Sequence, residues 1–213
     1  MKEIKAVLFD LDGTLLDTRE YVYAAYNHVL NINNYPQVSP EKIDPVMGIA
    51  LEECYRHFTG VDEVADFCDQ HRNFQLVNSH LVKKFEDTSQ TLDRLKDAGL
   101  KLGVVTTRSR STTDDVLSKN GLTNYFETVI AKSDVVNLKP HPESILKALS
   151  NLNVDPIESI MIGDTDFDIQ AGKAAGASTI GVTYGYFGTR IADFAPDHVA
   201  GNMREIARII LQR

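Results

Sequence analysis

The chain has 213 residues, 43% hydrophobic and 24% charged, enough to bury a sizeable core and ordinary for a globular protein. A formal charge of −8 with no basic stripe argues against a nucleic-acid binder or a protein held to an anionic membrane surface. No run reaches the ~18 apolar residues that span a bilayer. Met1-Lys2-Glu3-Ile4-Lys5 has no leader pattern, and Cys54 and Cys68 have no redox or metal spacing. The expectation is a soluble cytoplasmic protein with reduced thiols.

In chain order, residues 5–10 read as a first strand whose apolar run Ala6-Val7-Leu8-Phe9 leads into Asp10 and Asp12, then Gly13 and Thr14. From 16 to 84 only helical signals occur. Asp17 with Glu20 three residues on resembles a capping arrangement before a helix through Tyr21–Tyr26. Residues 31–40 read as loop, 51–58 as a short helix and 61–85 as a longer one. Strands at 101–106, 128–131, 159–163 and 178–183 then alternate with helices at 89–98, 111–120, 142–152 and 166–175. Met203, Ile206, Ala207, Ile210 and Leu211 keep the period of a closing amphipathic helix.

Most of these strands lack polar alternation, the pattern of strands buried on both faces of a parallel sheet. The expected fold is α/β, a doubly wound parallel sheet of five to six strands. The helical block looks like a separate cap with two hinge connections. Residues 1–15 and 85–213 then form a catalytic core, and 16–84 the cap.

The chemistry-bearing residues all follow strand ends, the edge where doubly wound sheets bind ligands. Two carboxylates two residues apart, Asp10 and Asp12, can divide nucleophilic or metal-binding work from proton transfer. Asp12-Gly13 alone is equally a turn signal. Thr106 could donate to a phosphate oxygen or cap the next helix. In Lys139-Pro140-His141-Pro142 the prolines restrain a lysine that could offset carboxylate repulsion and hold a phosphoryl oxygen; His141 shapes the turn. Gly163-Asp164-Thr165-Asp166-Phe167-Asp168 carries three carboxylates in five positions. Asp10 and Asp164 could supply the hard oxygens magnesium wants, and Asp168 lies one helical turn from Asp164.

Together, D-x-D-G-T at 10–14, Thr106 after a strand, Lys139 in K-P-x-P and G-D-T-x-x-D at 163–168 resemble the haloacid dehalogenase-like superfamily, over essentially the whole chain. The inserted helices look like its C1-type cap. The position after Thr106, usually asparagine-like in that family, is Thr107 here. The resemblance implies a Mg²⁺-dependent phosphatase of small phosphate esters. Asp10 would be the nucleophile that forms an aspartyl-phosphate, and Asp12 the proton shuttle. Asp10, the Asp12 carbonyl and Asp164 would hold the metal, with Thr106, Lys139 and the amides near Thr107 on the phosphoryl oxygens. Asp168 would support the metal's waters or orient Lys139. Gly13, Thr107, Arg108 and Gly48 are candidates for substrate contact, with Met47-Gly48-Ile49 as the cap loop reaching the site.

Arg56, Arg72 and Lys83 could read a second anion or be solvated charges. The cap has more acids than bases, which favours a small phosphorylated metabolite as partner, for a monomer or homodimer. Gly181–Tyr186 resembles phosphoglycolate phosphatases, whereas Val105–Arg110 and Arg72-Asn73-Phe74 resemble bacterial pyrophosphatases of the same superfamily. The expected activity is phosphoglycolate-phosphatase-like. The alternatives are a pyrophosphatase, a nucleotide or sugar phosphatase, or a phosphosugar mutase.

Overall fold

Ala6–Phe9 forms β1, and all four side chains are fully buried because both faces of the strand are covered. The structure is a computed structural model describing residues 3–212; Met1, Lys2 and Arg213, counted with the core in the sequence reading, lie outside the described residues. After β1 come β2 (Leu16–Asp17), α1 (Arg19–Ile32), α2 (Pro40–Ile43), α3 (Leu51–Thr59), α4 (Ala65–Asn78) and β3 (Lys83–Lys84). The remainder is α5 (Thr88–Asp97), β4 (Lys101–Val105), α6 (Arg110–Lys119), β5 (Thr128–Ile130), α7 (Glu143–Leu152) and β6 (Ser159–Gly163). It closes with α8 (Asp166–Ala175), β7 (Ser178–Val182), β8 (His198–Ala200) and α9 (Met203–Leu211). No helix among the described residues is long and apolar enough to cross a membrane.

Six strands make one parallel sheet in the order β5-β4-β1-β6-β7-β8. The order reverses at β1, whose neighbours are β4 and β6, so their carboxyl ends meet at the crevice where such sheets bind ligands. Ala6 and Leu8 pack with Ile145, Leu149 and Ala171 of α7 and α8 on one face. Val7 and Phe9 pack with Leu92, Val116 and Ile206 of α5, α6 and α9 on the other. The second cluster continues without a break into Tyr21, Val29, Tyr55 and Cys68 of the helices between β2 and β3.

Several expectations are corrected. Residues 16–84 are not wholly helical: β2 and β3 pair antiparallel, Leu16 opposite Lys84 and Asp17 opposite Lys83, where the chain leaves and re-enters the core. The long helix expected at 61–85 is the shorter α4. Gly60, left-handed at φ +73°, closes α3, and Ser79–Leu81 forms a 3₁₀ turn before β3. Asp17 likewise belongs to β2, and Thr18 occupies the cap position of α1 without a side-chain capping bond. β8 is a strand the sequence reading lacked.

The inserted helices close around an aromatic knot. Tyr26 lies 4.7 Å from the His71 ring and 5.4 Å from both Tyr55 and Phe58. Cys54 and Cys68 are buried and unpaired beside it, and burial pushes both thiols up to about 11, which leaves them protonated and inert.

Candidate active site

Asp10 ends β1 with its amide bonded to the Ile162 carbonyl of β6 at 2.8 Å, which fixes its backbone against the neighbouring strand. Its Oδ1 accepts from Lys139 Nζ at 2.7 Å, and its second oxygen accepts no hydrogen bond among the described residues. Lys139 sits in the loop before α7, after which the Lys139–Pro140 peptide is cis. Its other two contacts are Asp168 Oδ1 at 2.5 Å and the Val105 carbonyl at 3.1 Å. An ammonium has three donors, so all three are committed. His141 stays outside, its Nδ1 accepting from the Glu143 amide.

Asp168 does two jobs at once. Its Oδ1 takes Lys139, while Oδ2 takes the Thr165 amide at 3.1 Å and hydroxyl at 2.7 Å, closing the first turn of α8 as a capping box. Asp164 is fully buried, with Oδ2 accepting the Tyr186 amide at 2.7 Å and Oδ1 the Thr14 hydroxyl at 3.3 Å. The strand-end fit is tight enough to demand glycine at 13: its φ is +83°, and a Cβ there would lie 2.3 Å from Asp164 Oδ2. Asp166 Oδ2 accepts from Gln170 and Asp166 is not among the carboxylates that come together with Asp10, so two of the three clustered carboxylates form the site.

One oxygen from each of Asp10, Asp164 and Asp168 lies within 4.8 Å of the others. Burial pushes the Asp10 carboxyl up to about 7, with Lys139 pulling the other way. Burial also pushes Asp164 well above the usual carboxylate range, followed by repulsion from Asp10 and Asp168. For Lys139, burial works against the charge, but Asp10 and Asp168 outweigh it and hold the ammonium above its ordinary value. Three buried carboxyl groups gather around one lysine that bonds two of them, so acid groups outnumber cations there, and their oxygens are the hard donors a magnesium ion takes. The main-chain carbonyl of Asp12 accepts no hydrogen bond among the described residues and is a further oxygen of the same kind. The donor set therefore fits the metal the sequence reading expects.

Two cavities open from this point. The inner one, about 40 Å³, is lined by Asp10, Asp12, Thr106, Thr107, Lys139 and Asp168. The outer one, about 80 Å³, lies between sheet edge and helices, against Arg108, His71, Arg72 and Lys132. Asp12, Met47, Gly48 and Thr107 line both. Asp12 thus stands on the shared wall, its Oδ1 bonded to Arg108 Nη1 at 2.6 Å. Arg108 Nη2 donates to Tyr21 Oη at 2.8 Å, and Tyr21 donates to the Gln75 carbonyl of α4 at 2.9 Å. Thr106, at the end of β4, accepts the Arg108 amide on its hydroxyl at 3.2 Å.

Gly48 lies on the loop before α3 with φ +95°, and a Cβ would come 2.8 Å from Phe167 Cδ2 and 3.3 Å from Thr165 Oγ1. Only a bare backbone seats the loop that closely on α8. Of the other cap charges singled out in the sequence, Arg72 lines the outer cavity. Arg56 pairs with Glu53 and the Asp62 carbonyl on the exterior, and Lys83 is exposed on β3. Sequence reasoning missed His71, Lys132 and Gln75 at the outer cavity, and Tyr186 at Asp164. A histidine and a glutamine inside a polar helical stretch carry no site signal, and Tyr186 gave one only as part of Tyr184-Gly185-Tyr186.

A parallel sheet with β1 at its switch point, bearing paired aspartates, a lysine and an acidic strand end, defines a hydrolase of one family. The family model for haloacid dehalogenase-like hydrolase matches residues 7–182, and the chain belongs to that family. It is 38% identical over 214 residues to the pyrophosphatase PpaX of Bacillus velezensis, covering 98% of this chain and 97% of that one. It superposes with a TM-score of 0.90 at 28% identity on a haloacid dehalogenase-like hydrolase from Bacteroides fragilis, over 96% of this chain and 100% of the other. A predicted phosphoglycolate phosphatase from Haemophilus somnus 129pt gives 0.88 at 25% identity, over 98% and 99%.

Proposed function

We propose that the protein is a Mg²⁺-dependent phosphatase that hydrolyses small phosphate esters and anhydrides through an aspartyl-phosphate. The observation that carries this is Asp10: one oxygen is anchored by Lys139, the other accepts no hydrogen bond among the described residues, and Asp12 stands on the wall between the inner and outer cavities. We take residues 16–84 as the cap and the remainder as the catalytic core. The scissile phosphoryl group occupies the inner cavity and its leaving group the outer one.

The free oxygen of Asp10 attacks phosphorus; the new O–P bond forms as the bond to the leaving oxygen breaks, and Asp12 gives that oxygen its proton. Asp12 then takes a proton from water, whose oxygen attacks phosphorus and breaks the bond to Asp10, restoring Asp10 as the carboxylate and Asp12 as the protonated acid. Lys139 spends all three protons within the protein, so it aims the nucleophile and offsets its charge. Thr106 and the Thr107 amide serve the phosphoryl oxygens, and Asp168 holds Lys139 in place. Asp10, Asp164 and the Asp12 carbonyl would hold the metal, which when bound supplies the positive charge that neutralises the phosphoryl oxygens.

Pyrophosphate is the substrate favoured by the 38% identity to a pyrophosphatase along nearly the whole of both chains. The second reading, 2-phosphoglycolate, is supported by the likeness to a predicted phosphoglycolate phosphatase. Comparing kcat/KM on pyrophosphate, 2-phosphoglycolate, nucleotides and sugar phosphates separates them, and an isomerised sugar phosphate would reveal a mutase. The mechanism is tested by Asp10→Asn. With Mg²⁺ and p-nitrophenyl phosphate, kcat should fall by about three orders of magnitude or more while the far-ultraviolet circular dichroism is unchanged. Substantial turnover in the pure variant would remove covalent catalysis by Asp10.

A further inference from the structure

The outer cavity gathers cations in an acidic molecule, although Arg72 also pairs with Asp69 at 2.8 Å. In a chain of formal charge −8, Arg72, Arg108 and Lys132 line it, with Asp12 the only carboxylate among its lining residues. Glu52 sits behind the rim, tying Lys132 at 2.5 Å and Arg72 at 3.1 Å into one array. Half-buried ion pairs of this kind add little by themselves, but they hold two cations against the cavity.

Two buried donors on residues that line the cavity have no partner among the described residues. Arg108 is 8% exposed; its Nη atoms are engaged by Asp12 and Tyr21, whereas its Nε is buried with no partner among the described residues. A buried N–H of a guanidinium without an acceptor is costly, so its retention needs a reason. The second donor is His71, 2% exposed. Tyr55 is fully buried, and His71 Nδ1, at 2.8 Å, is the one partner of its hydroxyl among the described residues. A buried hydroxyl satisfies its proton by donating it, so Nδ1 accepts and the ring carries its proton on Nε2. That N–H has no partner among the described residues. Burial, with Arg108 and Arg72, pushes the imidazole down to about 3, so the ring is neutral and its tautomer fixed.

We infer that the outer cavity is a binding site for a second anion, a phosphate or a carboxylate, carried by the leaving group, with Arg108 and His71 as its donors. The inference rests on the inner cavity being the phosphoryl-transfer site. It makes charge on the leaving group, rather than its shape, the property the cap reads. Arg108 faces both partners of the reaction, Asp12 through Nη1 and the anion through Nε, so the anion is placed beside the oxygen that Asp12 protonates. Lys132 and Arg72 supply the attractive field at the entrance.

Three non-hydrolysable probes test this by calorimetry in the presence of Mg²⁺: methylphosphonate with one anionic group, methylenediphosphonate with a second phosphonate, and phosphonoacetate with a carboxylate. At least one two-anion probe should bind the wild type about tenfold or more tighter than methylphosphonate, and the tighter of the two names the anion. Arg108→Met and His71→Leu should each reduce that advantage, whereas His71→Gln, which keeps an N–H, should preserve more of it than His71→Leu. Should Arg108→Met fail to fold, the two His71 variants carry the same comparison. In turnover, the ratio of kcat/KM for 2-phosphoglycolate to that for ethyl phosphate, its analogue without the carboxylate, or the matching ratio for pyrophosphate, should fall about tenfold in folded Arg108→Met. Equal affinity of the wild type for all three probes, or an advantage that survives both His71→Leu and Arg108→Met, overturns the site. Failure of the wild type to hydrolyse p-nitrophenyl phosphate with Mg²⁺ overturns the phosphatase reading instead, and the binding comparison still judges the cavity.

Discussion

Lys139 is the residue on which the inner cavity depends. It is 6% exposed, and among the described residues it is the one cation bonded to Asp10 and Asp168, which would otherwise face each other and Asp164 uncompensated. Removing one partner of a buried ionic cluster costs about 3–5 kcal/mol because the charges left behind are uncompensated. Lys139→Met should therefore lower the unfolding free energy by roughly that amount in metal-free buffer, measured by urea titration. Adding Asp10→Asn to it should recover part of the loss, since one stranded carboxylate goes. If Lys139 served only to hold substrate, the single variant would be as stable as the wild type.

At the scale of elements, α3 and α4 are joined through the Tyr55–His71 hydrogen bond and the rings around it, and this makes the cap sensitive to acid. His71 has a folded pKa near 3 against 6.5 for the free side chain. Between those values the unfolded chain binds a proton that the folded chain refuses, so the stability is fully present above 6.5 and lost as pH falls toward 3. Asp10, raised to about 7, works the other way, since the folded state is then the better proton binder and stability falls as pH rises through 7. The comparison with His71→Gln cancels that contribution. The wild type should lose about 2–3 kcal/mol more than the variant between pH 7 and pH 4.5, read from urea midpoints. Parallel pH dependences would show that His71 is protonated in the folded cap.

The elements themselves were unequally legible. Ser159–Gly163 and Asp166–Ala175 coincide with the sequence expectation, because a continuous apolar run and a glycine stop are local signals. β2, β3 and β8 were not visible: two have only two residues, and β8 exposes His198 and Val199, so none carries an apolar run. Asp10 and Asp168 were legible because they follow β1 and β6, which the sheet makes neighbours; Lys139 follows β5 at the sheet edge and was legible through its proline-flanked loop. The contacts of Arg108 were not, since Asp12 and Tyr21 lie 96 and 87 residues away and no pattern encodes a pairing across the cap.

For the whole molecule, the apolar cluster that crosses from the sheet into the inserted helices is the main fact. Tyr21, Val29 and Tyr55 belong to the same packed body as Phe9 and Val104, and Arg19 adds a hydrogen bond to the Gly185 carbonyl on the core side. A shared core predicts one cooperative transition rather than separate melting of cap and core. The chain has no tryptophan and 8 tyrosines, several of them in the cap, so tyrosine fluorescence reports there while far-ultraviolet circular dichroism reports on the whole. The two urea curves should coincide; a fluorescence midpoint clearly below the dichroism midpoint would mean that the cap unfolds by itself.

The chain of bonds from Asp12 through Arg108 and Tyr21 to the Gln75 carbonyl has a consequence for timing. Its first two members stand on the core and its last two on helices of the insertion. A cap that swings away takes Tyr21 and Gln75 with it, leaving Arg108 tethered by Asp12 alone and free to reorient. On the mechanism proposed above, Asp12 would then be held in place for proton transfer only while Tyr21 and Gln75 keep Arg108 in position. Under that proposal, cap closure and acid catalysis would be one event.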